Sequence, residues 1–134
     1  MSDPAVNSPR LSANRPVWYN LSPANLPVPG LVSIFHRISG LALFVGLFWL
    51  LYLLDESLAS PESYAKYKAL AAHPLAKLAF LGLGWAFLHH FCAGIRYLLL
   101  DVHVGMTLEA ARRSSFVVFA ISLILTLVLG ARLW

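Results

Sequence analysis

Residues 75–100, LAKLAFLGLGWAFLHHFCAGIRYLLL, form the apolar run that decides the fold of this chain. A helix needs about 20 residues, at 1.5 Å rise each, to cross a bilayer. Two further apolar runs have comparable length once their flanks are included: ISGLALFVGLFWLLYLL at 38–54 and FVVFAISLILTLVLGA at 116–131. Because lipid offers no partner for backbone N–H and C=O groups, such runs are expected to be helical. The sequence therefore predicts an all-α fold with three transmembrane helices.

The composition and the proline distribution divide the chain into two parts. Of its 134 residues, 59% are hydrophobic and only 12% are charged, whereas soluble domains carry about 25% charged residues. Residues 1–30 are polar and rich in proline, which opposes a long helix and predicts an extended cytoplasmic arm. Residues 31–134 are predicted to be the transmembrane domain, with helices at about 31–54, 75–100 and 115–134. Ser60-Pro61-Glu62 is typical of the start of a short surface helix between the first two spans.

The charge of the chain fits contact with a membrane and not with nucleic acid. The formal net charge is +4 and the isoelectric point is about 9.6, but arginine-rich patches with interleaved aromatic residues are absent from the sequence. In so apolar a chain, these cations are expected to set topology and to meet anionic lipid. With three spans, six basic residues lie on the side of the membrane that holds the N-terminus and the loop between the second and third spans: Arg10, Arg15, Arg37, Arg96, Arg112 and Arg113. Four lie on the opposite side: Lys66, Lys68, Lys77 and Arg132. This bias predicts a cytoplasmic N-terminus and a periplasmic C-terminus.

Two adjacent histidines, His89 and His90, lie deep in the second apolar run. An ionisable side chain within the bilayer indicates a functional site, and an inward-facing imidazole is typical of a metal, haem or proton site. On the predicted topology, His36, Arg37 and Arg96 gather nearer the inner rim. A haem has matching requirements, since its iron accepts imidazole in an apolar slot and its propionates favour cations nearer water.

Adjacent helical residues point about 100° apart, so His89 and His90 cannot both bind one iron. Small residues one turn away, at Ala86, Ala93 and Gly94, favour His90 as the ligand, because they would let a flat macrocycle approach. A sixth ligand would then have to come from a second chain. The alternatives are that the histidines only bridge neighbouring helices and that the arginines are interfacial anchors.

Two motifs carry a resemblance to a known family. Residues 33–40, SIFHRISG, resemble the signature S-I-x-H-R-x-S-G of the cytochrome b subunit of succinate dehydrogenase, a membrane anchor of respiratory complex II. Residues 90–96, HFCAGIR, together with Asp101, resemble its second signature, H-x3-G-I-R-(x4)-D. The similarity extends from about Arg15 to Trp134. One position departs from it, because several members have histidine where this chain has Tyr97, and a phenol carries no positive charge at neutral pH.

The resemblance implies specific roles for the residues of both motifs. His90 would be an axial ligand of haem b, and a histidine of the companion anchor subunit would be the other. His36 and Arg37 would lie near the haem propionates. The depth in the membrane that the predicted topology gives Arg96 places it near the propionates as well. Ser33 and Arg37 would line the ubiquinone pocket, where hydrogen-bond donors are needed at the quinone oxygens. No role is implied for His89.

The resemblance also implies a multi-subunit assembly in a bacterial inner membrane. The chain would form a haem-binding helical bundle with the second anchor subunit and would contact an iron–sulfur subunit that receives electrons from a flavoprotein. We expect no catalysis by the chain alone, because it lacks a flavin fold, a set of iron–sulfur cysteines and a succinate site. The alternatives are an anchor of a fumarate reductase and a non-redox three-helix assembly or transport protein.

Overall fold

The computed structural model describes residues 26–134, and this part of the chain forms four α-helices. Their bounds are Val28–Leu58 for α1, Pro61–Ala72 for α2, Pro74–Asp101 for α3 and Leu108–Leu133 for α4. Three of them, α1, α3 and α4, are long and apolar enough to cross a membrane. The predicted all-α fold with three transmembrane helices is thereby confirmed. Residues 1–25 of the predicted arm lie outside the described residues.

Two of the spanning helices are longer than the apolar runs predicted. The first helix begins at Val28 and not at residue 31, because a proline in its first turn already has a helical φ. It also continues past residue 54 to Leu58. The last helix begins at Leu108 and not near residue 115, because the Thr107 side chain caps it by accepting a hydrogen bond from the backbone N–H of Ala110 at 3.2 Å.

The short surface helix predicted from Ser60-Pro61-Glu62 is confirmed as α2. The Ser60 hydroxyl caps it and accepts a hydrogen bond from the backbone N–H of Ser63 at 3.0 Å. A single residue, His73, separates α2 from α3 and has an extended backbone with φ −65° and ψ 136°. Because the residue before a proline disfavours the helical region, Pro74 explains the break. The turn places α2 at the end of the bundle opposite the α3–α4 loop.

Small and hydroxylated residues occupy the helix contacts. In α1 the buried positions are Val32, Ser39 and Gly46, seven residues apart. The buried positions of α3 and α4 are Ala86, His89, Ala93, Arg96, Ser115, Val118, Ser122 and Thr126. Small residues let membrane helices approach closely, since lipid supplies no hydrophobic force between them. The α4 hydroxyls donate to carbonyls of their own helix, as Thr126 does to Ser122 at 2.7 Å. The large apolar side chains point outward, as expected beside lipid or other membrane helices.

Candidate functional site

His36 of α1 and His90 of α3 meet face to face where these two helices cross. Their ring centroids are 4.0 Å apart, and the ring planes differ by 12°. Nδ1 of His90 lies 3.0 Å from the backbone carbonyl oxygen of His36 and 3.3 Å from Oγ of Ser39. Its other nitrogen, Nε2, makes no hydrogen bond with any of the described residues. One side of this imidazole is therefore held by α1, and the other nitrogen is left for a partner outside the described residues.

The close approach of the His90 ring to α1 depends on a residue without a side chain. A Cβ added to Gly40 would lie 2.9 Å from Cε1 of His90 and 3.3 Å from Nδ1. Real Cβ contacts are essentially never that short, so a larger residue would displace the ring. Ser39 and Gly40 are the last two residues of the SIFHRISG motif, and the sequence alone predicts no role for either of them. Their spacing of three and four residues from His36, one helical turn, is the signal that placed them on the same face.

His89 lies in the core of the bundle and has no access to solvent or lipid. Its ring stacks on Trp85 with centroids 5.3 Å apart and on Phe119 of α4 at 5.1 Å, and Phe35 meets it edge-on at 6.0 Å. Neither ring nitrogen has a hydrogen-bond partner within the described part of the chain. The His89 ring is thus surrounded by aromatic side chains of α1, α3 and α4.

The small residues expected beside His90 are divided between two faces of α3. Ala86 and Ala93 are buried in the core, on the same side as His89, because positions 86, 89 and 93 follow the spacing of one helical stripe. Gly94 faces α1 instead, where an added Cβ would lie 3.8 Å from Cε1 of His36. Gly40 therefore accommodates the His90 ring and Gly94 leaves room for the His36 ring, whereas the two alanines face the core.

Arg96 lies on a different face of α3 from His90. Six helical residues correspond to a rotation of about 120° in magnitude, and Arg96 is accordingly directed toward α4. Its Nε donates to Oγ of Ser114 at 2.9 Å, and Nη2 donates to the carbonyl oxygen of Ala111 at 3.4 Å. The side chain is 6% exposed. The structure does not bring Arg96 against His36; the residue beside His36 is Tyr97, with ring centroids 5.2 Å apart.

Ser33 and Arg37 lie one turn apart on α1, close to the stacked histidines but not between the helices. Arg37 is exposed and Ser33 is half-buried. Neither makes a side-chain hydrogen bond with the residues that the structure describes. Residues four apart share a helix face, so the hydroxyl and the guanidinium are available together to a molecule at the N-terminal end of α1.

Several buried polar atoms near this crossing have no partner in the described chain. They are Nδ1 of His36, both nitrogens of His89 and the hydroxyl oxygen of Tyr97. Buried polar groups normally find a hydrogen bond, so each of these calls for a water, a ligand or another subunit. Open grooves run along the described helices. One of about 480 Å³ lies between α1 and α3 and is lined by Leu43 and Phe87, each about one helical turn from Gly40 or His90. Another of about 360 Å³ is formed by α1, α2 and α3 at the C-terminal end of α1, and one of about 350 Å³ lies between α3 and α4 beside Arg96.

Three apolar spans with a pair of stacked imidazoles held between two of them define a multi-pass membrane protein with a polar site inside its helix bundle. The chain belongs to the succinate dehydrogenase/fumarate reductase transmembrane subunit family, whose model matches residues 12–129. It is 35% identical to a succinate dehydrogenase cytochrome b556 subunit of Coxiella burnetii, over 92% of this chain and 100% of the relative. The corresponding subunit of Paracoccus denitrificans is 32% identical, over 84% of this chain and 86% of its own length. A succinate dehydrogenase cytochrome b560 subunit of Reclinomonas americana is 25% identical, over 88% of this chain and 85% of its own length.

The predicted family is thereby confirmed, and with it a multi-pass membrane subunit of complex II. The comparisons leave the individual site residues untested, so the predicted roles of Ser33, His36, Arg37, His90 and Arg96 stay predictions. His103 lies in the turn between α3 and α4. Its φ of 62° is in the left-handed region.

Proposed function

We propose that this chain is the anchor subunit of a succinate:ubiquinone oxidoreductase that binds haem b through Nε2 of His90. A single observation carries the proposal: Nδ1 of His90 is fixed by the His36 carbonyl at 3.0 Å while Nε2 has no partner among the described residues. Histidines that bind metals commonly donate their second N–H to a carbonyl or carboxylate, which fixes ring orientation and tautomer. The Nδ1 contact itself joins α3 to α1, but a bridge between helices gives Nε2 no use, whereas an iron ligand needs that nitrogen without another partner.

The residues around His90 fit a flat prosthetic group with an apolar body. The His90 ring packs against α1 at Gly40 through its Nδ1–Cε1 edge, Nε2 lies farther from that helix, and His36 lies against the ring face. A bound haem would supply a one-electron redox centre. Arg37, which is exposed and unengaged within the described chain, is the cation best placed for a propionate from the α1 side. Arg96 would reach a propionate only by giving up its bonds to Ser114 and Ala111.

The quinone part of the proposal rests on Ser33 and Arg37. Quinone reduction needs hydrogen-bond donors at the two carbonyl oxygens and a path for protons from water. The Ser33 hydroxyl and the Arg37 guanidinium share a face of α1 at one end of the bundle, and both are free to donate. We infer that they line part of the ubiquinone site, to which the complex delivers electrons from its iron–sulfur subunit.

The relatives favour the succinate dehydrogenase assignment over a fumarate reductase, since the subunits of Coxiella burnetii and Paracoccus denitrificans both carry succinate dehydrogenase names. In the proposed assembly, a second anchor subunit contributes the other axial histidine, and a flavoprotein and an iron–sulfur subunit dock at the cytoplasmic side. The membrane is a bacterial inner membrane, with the N-terminus cytoplasmic and the C-terminus periplasmic. The basic residues at the inner end, Arg37, Arg112 and Arg113, support this orientation.

The adjacent histidines offer a matched test of the haem ligand. His90→Leu and His89→Leu make the same substitution one residue apart, and the haem content of the purified complexes is measured as a pyridine haemochrome. We expect His90→Leu to lose the b-type spectrum and His89→Leu to keep it, because the His89 ring is enclosed by Trp85, Phe119 and Phe35. Full haem content and an unchanged spectrum in His90→Leu would disprove the assignment.

A further inference from the structure

Ser39 connects the two groups that hold His90. Its Oγ lies 2.9 Å from the carbonyl oxygen of His36 and 3.3 Å from Nδ1 of His90. The residue is 2% exposed, so water does not compete for these contacts. Ser39, the His36 carbonyl and Nδ1 of His90 thus form a closed triangle of hydrogen-bonding atoms at the α1–α3 contact.

The chemistry of the three groups determines where the proton must lie. A carbonyl oxygen can only accept, so the contact of the His36 carbonyl with Nδ1 at 3.0 Å needs a proton on that nitrogen, and the single proton of the Ser39 hydroxyl is then directed to the same carbonyl. The same hydroxyl then has only lone pairs left for His90. Because both oxygens that face Nδ1 accept, Nδ1 must carry the ring proton. Nε2 is then a bare lone pair, which is the tautomer that can bind iron.

We propose that Ser39 is a positioning residue that supports, together with the His36 carbonyl, the Nδ1–H tautomer of His90 and sets the donor strength of this imidazole toward the haem iron. This inference rests on the proposed function, since it concerns the atom assigned as the ligand. An imidazole whose N–H donates to two acceptors gains anionic character and becomes a more basic ligand. A more basic ligand stabilises ferric over ferrous iron, so Ser39 lowers the reduction potential of the haem.

The variant that tests this is Ser39→Ala, and the chain offers a close control. Ser122 of α4 is also fully buried and also donates to the carbonyl three residues earlier, Phe119, at 3.1 Å. Ser122→Ala removes the same kind of helix bond without touching a histidine. Ser39→Thr restores a hydroxyl at the original position. The readouts are the haem midpoint potential and the low-spin electron paramagnetic resonance spectrum of each purified complex.

We expect Ser39→Ala to keep haem and to raise its potential, by up to about 59 mV for a tenfold change in the ferric-to-ferrous affinity ratio. Ser39→Thr and Ser122→Ala should stay at the wild-type value. Loss of haem from Ser39→Ala alone, with Ser39→Thr intact, would equally support a role for the hydroxyl. The inference would be overturned if the haem midpoint potential of Ser39→Ala equalled that of Ser122→Ala. It would also be overturned if both Ser39 variants lost their haem.

These results are separable from failure of the proposed function. His90→Leu reports whether His90 is the ligand at all, and the Ser39 variants report only how that ligand is held. If His90→Leu loses haem while Ser39→Ala leaves the potential unchanged, the ligand assignment stands and the role of Ser39 is wrong. If His90→Leu keeps haem unchanged, both are wrong.

Discussion

The substitution Gly40→Ala adds one methyl group at the point where α1 and the His90 ring are closest. The new Cβ would lie 2.9 Å from Cε1 and 3.3 Å from Nδ1, whereas ordinary contact begins at 3.4 Å. The imidazole or the helix must therefore move by about half an ångström or more. The ring has little freedom to do so, since His36 stacks on one face at 4.0 Å and Nδ1 is bonded to the His36 carbonyl.

Two opposing energies decide the outcome of Gly40→Ala. Alanine is favoured over glycine within a helix by about 1 kcal/mol, so the fold itself should be maintained or stabilised. Overpacking at a well-packed contact costs about 1–3 kcal/mol, a free energy that corresponds to a roughly 5- to 150-fold change in an affinity. We expect this cost to appear as weakened haem retention without loss of assembly.

The assay is the haem-to-protein ratio of the purified complex as detergent washing is prolonged. Gly46→Ala is the control, because its added Cβ would also be too close to α3, at 2.8 Å from Cδ2 of Leu83, but would meet only the end of a flexible side chain. Gly40→Ala should lose haem faster than Gly46→Ala. Equal retention in the two variants would refute the idea that a missing side chain at position 40 makes room for the His90 ring.

Two further predictions concern Ser33 and Arg37 near the N-terminal end of α1 and Gly82 of α3. Arg37→Gln and Ser33→Ala should each lower ubiquinone reductase activity, Arg37→Gln by at least about tenfold, while succinate oxidation with a soluble artificial acceptor persists. Arg112→Gln, which removes another exposed cation near the same end, should leave both activities intact; equal loss of both in the Arg37 variant would contradict the quinone assignment. Gly82→Ala should raise the unfolding temperature through a gain of up to about 1 kcal/mol, since nothing lies within 4 Å of its added Cβ, and a lowered unfolding temperature would contradict this.

The three spans could be predicted because hydrocarbon imposes a length and a composition on each helix. Helix ends in water follow other rules. The start of α4 was missed because residues 108–115 are polar, and hydropathy reports where lipid begins, not where a helix begins. The Thr107 cap and Glu109 in the first turn are the local signals that extend α4 into water. The start of α2 was predictable because Ser60 is a typical N-cap residue and Pro61 is favoured at the first position of a helix.

The site was less accessible to sequence reasoning, because it depends on the register of α1 against α3. A helix that is apolar all round does not reveal which face packs against a neighbour. The sequence therefore could not show that His89 is enclosed by aromatic rings or that Arg96 turns toward α4. Nor could it show that Ser39 meets His90, since the two residues are 51 positions apart in the chain. The small residues that favour His90 over His89 in the sequence are Ala86, Ala93 and Gly94; the structure places the two alanines on the His89 side of α3 and only Gly94 toward α1.

An experimental density map of the intact complex, with its haem, tests the central claim most directly. We predict a bond between the haem iron and Nε2 of His90, with Nδ1 of the same ring facing the His36 carbonyl and Oγ of Ser39. An iron bound by His89, or by no histidine of this chain, would contradict the account.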